Sequence, residues 1–355
     1  MRVVRLVLIG LGNLGWRFCE ILAERGEALG ERYGLRFELV GAADSRGAIH
    51  AADGLDPGAI AALKRAGRPV AAYRDPAGRP VRAAESGLAL IEAAAADVLL
   101  EATPVNLDQG GEPGLSHVRA ALRRGLHVVT PNKGPLVLAY RELHDLAAAH
   151  GAQLRFDGTV AGGLPAVNLG ARDLRGAEVR RIEAVPNLVT GLVMDLLAGG
   201  ASWEEAVATG RAEGVLEGDG AWDLEGWDAA AKLVILVNAT AGPTPAAQLG
   251  EVARTGVSGM EPAALREAAA AGERWRLLAR AERGPDGRYV LSVAPRRMAP
   301  EHPLGRLGSH QMGVVFETDL YGTLTAMIEE RTPVPSAATM LRDLLDIYCS
   351  PALTV

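Results

Sequence analysis

The stretch that decides the fold is Val3-Val4-Arg5-Leu6-Val7-Leu8-Ile9-Gly10-Leu11-Gly12-Asn13-Leu14-Gly15. Residues 3–9 form a short apolar run rich in β-branched side chains, which favours a buried strand. The run ends directly in G-x-G-x-x-G, and a helix-forming segment follows. In that context the three glycines do different things. Gly10 permits the tight turn, Gly12 lets a pyrophosphate approach the backbone, and Gly15 lets helix and strand pack closely. The N-terminus of the helix then offers its unpaired N–H groups to the phosphates, so Asn13 and Leu14 join the three glycines as candidate cofactor contacts.

Beyond the glycine loop, a second strand is expected over 37–43, ending at Asp44-Ser45-Arg46. An acid at this strand end binds the adenosine ribose hydroxyls, and a nearby Arg accommodates a 2′-phosphate. Both are present, so NAD and NADP stay open. Asp44 lies beyond the usual spacing of about 20 residues from the loop, which calls for a long helix or loop between them. Lys64 and Arg65 read more simply as surface cations than as phosphate ligands. Residues 48–95, rich in Ala, Gly and Pro, read as helices and loops.

The buried strand Asp97–Glu101 runs into Ala102-Thr103-Pro104, and the strand 126–129 runs into Thr130-Pro131-Asn132-Lys133-Gly134. Ligands of such sheets bind beyond the carboxyl ends of strands, which places Thr103, Pro104, Asn132 and Lys133 near a nicotinamide. The assembly is an α/β fold: a Rossmann dinucleotide-binding domain over 1–156, a second mixed α/β domain over 157–322, and a C-terminal segment, 323–355, returning to the first. The boundary is set at the glycine-dense run Gly158-Thr159-Val160-Ala161-Gly162-Gly163-Leu164-Pro165, where backbone is expected to approach a ligand, an ion or a second chain.

In the second domain the informative stretch is AEGVLEGDGAWDLEGWDAAAKLVIL, residues 212–236. Its first part is a Gly-rich acidic segment, which favours loop. From Trp227 onward the Ala and Leu content favours helix. Asp228 and Lys232 are then i and i+4 neighbours with the acid N-terminal, the better orientation for an ion pair. A solvated acidic loop with one surface pair is the plain alternative. A pocket with carboxylates for a substrate ammonium and a lysine beside the reacting oxygen is the functional one.

Composition sets outer limits. The chain has 355 residues, 48% hydrophobic and 23% charged, with a net charge of −6. That is enough for two domains, and the acidity argues against nucleic acid or an anionic membrane as partner. Two cysteines, Cys19 and Cys349, supply neither a disulfide framework nor a metal set, and they suit a reducing cytoplasm. No signal peptide, membrane-spanning run or internal repeat is expected.

Taken together, these segments resemble homoserine dehydrogenase over nearly the whole length. The ordered set is the glycine loop, ADSRG at 43–47, DQGGEPG at 108–114, HVVTPNKGPLV at 127–137, the GGLP run, EGDGAWDLEGWDAAAK at 217–232 and HPLGRL at 302–307. The spacing of Asp223, Gly226, Asp228 and Lys232 is its most specific part. The resemblance implies an NAD(P)-dependent oxidoreductase of amino-acid (threonine and methionine) biosynthesis, interconverting aspartate semialdehyde and homoserine, and working as a homodimer. By the same resemblance Lys232 and Lys133 serve proton transfer at the substrate oxygen, and Asp228 orients Lys232. Glu217, Asp223, Asn187 and Gly163 line the substrate pocket. Backbone carbonyls of Asp157, Val160 and Gly162 would hold Na+ or K+. No C-terminal regulatory domain is expected.

The chain departs from the family pattern at three places: Asn187-Leu188-Val189, Leu216 through Gly220, and Glu330 through Pro335. A bulkier, less polar pocket could change the substrate. A sister dehydrogenase acting on another amino or hydroxy acid is therefore the second expectation, and a nucleotide-binding protein without catalysis is the third.

Overall fold

The computed structural model describes residues 1–216, 220–242 and 246–349. Two compact units emerge: Met1–Gly163 with the described part of Thr332–Val355, and Leu164–Arg331.

Unit 1 is a seven-stranded sheet flanked by helices. In chain order its elements are β1 (Arg2–Ile9), α1 (Asn13–Tyr33), β2 (Leu35–Asp44), β3 (Gly47–His50), α2 (Pro57–Arg65), β4 (Arg82–Ala84), α3 (Gly87–Ala93), β5 (Val98–Glu101), α4 (Gly114–Arg123), β6 (His127–Val129), α5 (Lys133–Ala149) and β7 (Leu154–Arg155). The order across the sheet is β4-β3-β2-β1-β5-β6-β7. The pairs β1–β2, β1–β5, β5–β6 and β6–β7 are parallel. The chain leaves β1 in one direction to β2 and in the other to β5, so the carboxyl end of β1 is the switch point where such sheets bind ligands.

The long interval before Asp44 is filled by α1 itself, closed at Gly34 by a left-handed cap. Residues 48–95 are not helix and loop alone: β3 and β4 add two antiparallel strands at the β2 edge. Their short, Ala-rich segments carry little local strand signal, and only pairing with β2 makes them strands. The core on one side of the sheet joins Leu6, Leu8, Phe18, Leu22, Ile60 and Leu100, all 5% exposed or less.

Unit 2 begins with α6 (Ala166–Asn168), β8 (Val179–Val185), α7 (Leu188–Ala198), α8 (Trp203–Ala212), α9 (Ala221–Leu224) and α10 (Trp227–Ala241). It continues through β9 (Ala253–Arg254), α11 (Pro262–Ala270), β10 (Arg274–Arg283), β11 (Tyr289–Met298), β12 (Gln311–Thr318) and β13 (Thr323–Glu329). The six strands pair in the order β13-β12-β8-β10-β11-β9, antiparallel except for β11–β9. Helices α7 and α10 pack on this sheet. Ala230, Ala231, Val234, Ile235 and Leu236 of α10 are all fully buried. A helix apolar on every side is driven inward, and it carries its two charged residues with it.

The last helix, α12 (Val334–Tyr348), belongs to unit 1, where Met340 and Leu344 enter the core beside α1. The units part at 163/164 and 331/332, past the boundaries expected at 156 and 322. Two contacts account for this. The Asp157 N–H donates to Asp343 Oδ2 at 3.1 Å, tying 157–163 to α12. Strand β13 pairs with β12 from Gln311↔Glu329 to Glu317↔Thr323 and so stays in unit 2.

Candidate active site

In unit 1 the glycine loop has the shape its sequence requires. Gly10 has φ +98°, and a Cβ there would lie 2.3 Å from the Ala102 carbonyl carbon. A Cβ on Gly15 would fall 2.0 Å from the Gly10 carbonyl oxygen. At Gly12 a Cβ would meet nothing within 4 Å. Two glycines are thus fixed by the protein's own packing, whereas the third faces open space. Gly12 also begins α1 without a side-chain cap, and a helix N-terminus of this kind favours an anion.

Asp44, at the end of β2, is engaged from three directions. Lys64 Nζ pairs with its Oδ2, Val70 N–H donates to the same oxygen at 2.9 Å, and Arg46 N–H donates to Oδ1 at 2.8 Å. Lys64 is therefore no plain surface cation: its side chain is 10% exposed and that of Asp44 is 7%. Burial alone would raise the Asp44 pKa, but the Lys64 hydrogen bond and the two backbone donors outweigh it and hold the carboxyl below its usual range. Arg46 directs its guanidinium to Gly67 O at 2.9 Å. Ser45 follows Asp44 in the turn and is exposed.

The carboxyl ends of β5 and β6 are joined by a network centred on Glu101, which is fully buried. Its Oε1 accepts from Thr103 Oγ1 and, at 3.1 Å, from Thr103 N–H. Thr130 Oγ1 donates to Glu101 O at 2.8 Å and accepts from Asn132 N–H at 3.0 Å. Asn132 Nδ2 reaches Thr103 Oγ1 at 3.3 Å, and its Oδ1 caps α5 through Gly134 N–H at 2.9 Å. Lys133 is the first residue of that helix. Thr103 and Asn132 are thus held around one buried carboxylate, with Pro104 and Lys133 next to them in the chain. Sequence reasoning took Glu101 only as the end of a strand. The available signal was an acid closing an apolar run, where an unpaired charge is costly.

In unit 2 the ion pair expected from spacing forms. Lys232 Nζ lies 2.8 Å from Asp228 Oδ2, one helical turn away, and also donates to Pro186 O at 2.7 Å. Asp228 is 3% exposed. Asn187 caps α7 by accepting from Thr190 N–H. Its Nδ2 group donates to Asp228 Oδ2 and to Asp223 Oδ1, both at 2.6 Å. The turns between these groups need glycine: Gly220 and Gly226, at φ +71° and +80°, frame α9 and start α10. Glu217 lies outside the described residues.

Asn187, Asp223, Asp228 and Lys232 therefore form one cluster. Chemically, a lysine held between a carboxylate and a carbonyl can give or take a proton at a substrate oxygen, and the carboxylates suit an ammonium group. Gly163 belongs to unit 1, where its carbonyl accepts from Arg342.

Comparison with known proteins agrees over the full length. Residues 165–345 match the family model of homoserine dehydrogenase, and residues 10–157 match that of the homoserine dehydrogenase NAD binding domain. An NAD(+)-dependent homoserine dehydrogenase of Pseudomonas canavaninivorans is 31% identical, covering 99% of this chain and 97% of its own. A homoserine dehydrogenase of Methanocaldococcus jannaschii is 31% identical over 97% of this chain and 98% of its own. Among solved structures, homoserine dehydrogenase from Thermoplasma acidophilum aligns with TM-score 0.81 at 26% identity, covering 98% and 99% of the two chains.

Proposed function

This chain belongs to the homoserine dehydrogenase family, and on that premise we propose that it interconverts L-aspartate 4-semialdehyde and L-homoserine with NAD(H). A sister activity on another amino or hydroxy acid is not favoured by the relatives found.

The observation that carries the proposal is the cluster in which Asn187 spans Asp223 and Asp228 while Asp228 holds Lys232. The cofactor, when bound, accepts or donates the hydride. Lys232, as the neutral amine, takes the hydroxyl proton as homoserine is oxidised, and the ammonium so formed returns it to the aldehyde oxygen in the reverse direction. Asp228 keeps the Lys232 ammonium aimed, and the Pro186 carbonyl fixes its second direction. Asp223 and Glu217 receive the substrate α-ammonium. Lys133, at the start of α5, is assigned as a second proton-handling group.

In unit 1, Gly10, Gly12, Asn13, Leu14 and Gly15 would take the pyrophosphate, and Asp44, Ser45 and Arg46 the adenosine ribose. Thr103, Pro104 and Asn132 would take the nicotinamide side. NAD is assigned over NADP because β2 ends in the carboxylate of Asp44, the group that takes ribose hydroxyls, and a 31% identical relative is NAD(+)-dependent. A homodimer, as in the family resemblance, is assigned to the assembly, and a cytoplasmic setting suits two free cysteines.

Lys232→Ala is the deciding experiment, read by nicotinamide absorbance with homoserine and a panel of amino alcohols. Loss of turnover with unchanged NAD+ affinity supports the assignment. Retained turnover, or a better substrate than homoserine in the wild type, removes it.

A further inference from the structure

The loop Asp157–Gly163 is where the family resemblance would place a monovalent metal ion. Its tightest bend comes from two successive left-handed residues, Ala161 at φ 55° and Gly162 at φ 56°. Such a bend needs something to hold its ends together. Here α12 does so with a side chain. Arg342 sends one guanidinium nitrogen to the Asp157 carboxylate and the other to the Gly163 carbonyl at 3.0 Å. The first and last residues of the loop are thereby bridged by one fixed positive charge.

The seat is built rather than incidental. Asp157 is 1% exposed, so its carboxylate requires a partner inside the protein. Its N–H is already held by Asp343, the residue after Arg342, at 3.1 Å. A Cβ on Gly158 would lie 2.3 Å from Thr339 Oγ1, so the loop backbone lies directly against α12 one turn before Arg342. A guanidinium also suits this place chemically, because its planar fork donates in two fixed directions.

A resident Na+ or K+ does not fit beside it. The Gly162 carbonyl, one of those expected to bind an ion, is a single peptide from the oxygen that Arg342 holds. A metal ion there would face a like charge at close range. We propose that Arg342 serves as this loop's own cation, doing with a covalently attached charge what a monovalent metal ion would do. The protein should then be indifferent to Na+ and K+.

The test is thermal unfolding of the full chain in potassium, sodium or tetramethylammonium chloride at equal ionic strength. Wild type should show the same midpoint in all three salts. Arg342→Met should unfold at a lower temperature in tetramethylammonium and recover as K+ or Na+ is added, because a ligand that binds only the folded state raises its stability with concentration. A wild-type midpoint that rises with K+ or Na+ overturns the proposal, as does an Arg342→Met protein matching wild type in every salt. If Arg342→Met does not fold, Arg342→Lys takes its place. Its ammonium should keep the loop indifferent to ions, and ion-dependent unfolding of that variant counts against the idea.

Discussion

Asn187 and Asp228 stand 41 positions apart in the chain, yet the amide nitrogen of one lies 2.6 Å from a carboxylate oxygen of the other. The same amide nitrogen holds Asp223. One neutral donor group thus separates two acids that would otherwise repel each other. Asn187→Leu keeps the volume but removes both N–H donors. Turnover should fall by roughly 10²-fold through misplacement of Asp228 and Lys232, with NAD+ affinity unchanged. Steady-state kinetics with a fluorescence titration of NAD+ checks this, and parallel loss of cofactor binding would contradict it.

The glycine loop separates packing from ligand binding. Gly12→Ala should fold with a thermal midpoint close to wild type and lose NAD+ affinity, because its methyl group enters the space left for the pyrophosphate. Gly15→Ala should instead destabilise by about 1–3 kcal/mol or more, since the added methyl collides with backbone. Calorimetry on both variants, with and without NAD+, reads the two effects independently.

Glu101→Gln keeps the shape of the buried network but weakens its acceptors. Thr103 and Thr130 lose a charged partner, a change of about 1–3 kcal/mol in stability. The KM for NAD+ should rise about tenfold, equivalent to 1.4 kcal/mol, with a smaller change in the KM for homoserine. Equal effects on both constants would argue for general destabilisation instead.

Lys64 sets the acid limit through Asp44. The folded-state pKa of Asp44 lies below its ordinary 3.8, so its contribution to stability is present above that value and is lost as pH falls through the depressed one. Lys64→Met removes the leading cause of the depression. The acid limb of the stability profile should move to higher pH, and urea unfolding between about pH 2 and 6 reads the shift.

Asp343 works with the opposite sign. Burial, followed by the nearby Asp157 charge, pushes its carboxyl well above the ordinary 3.8. The folded state then binds more protons than the unfolded state above that value, so stability falls as pH rises through the window. Asp343→Asn keeps an acceptor for Asp157 N–H and removes the titration. It should be at least as stable as wild type at neutral pH, with a flatter profile above about pH 4. A steeper loss of stability on the alkaline side would refute this.

What could be read in the chain was what depends on neighbours in the chain. The apolar run 3–9, the three glycines and the helix after them specify a local strand-turn-helix, because turn geometry needs a particular residue at a particular place. The Asp228–Lys232 pair followed from helical period alone. Strands β3 and β4 were not legible, since pairing rather than propensity makes them strands.

The partners of buried polar groups were equally hidden. Glu101 meets Thr130 across two parallel strands, Asn187 meets two acids from two later helices, and Arg342 returns over 185 positions to Asp157. The residue types announced charge and hydrogen-bonding capacity. Tertiary packing chose which groups would share it, because a buried polar group must bond to whatever the fold brings within about 3 Å.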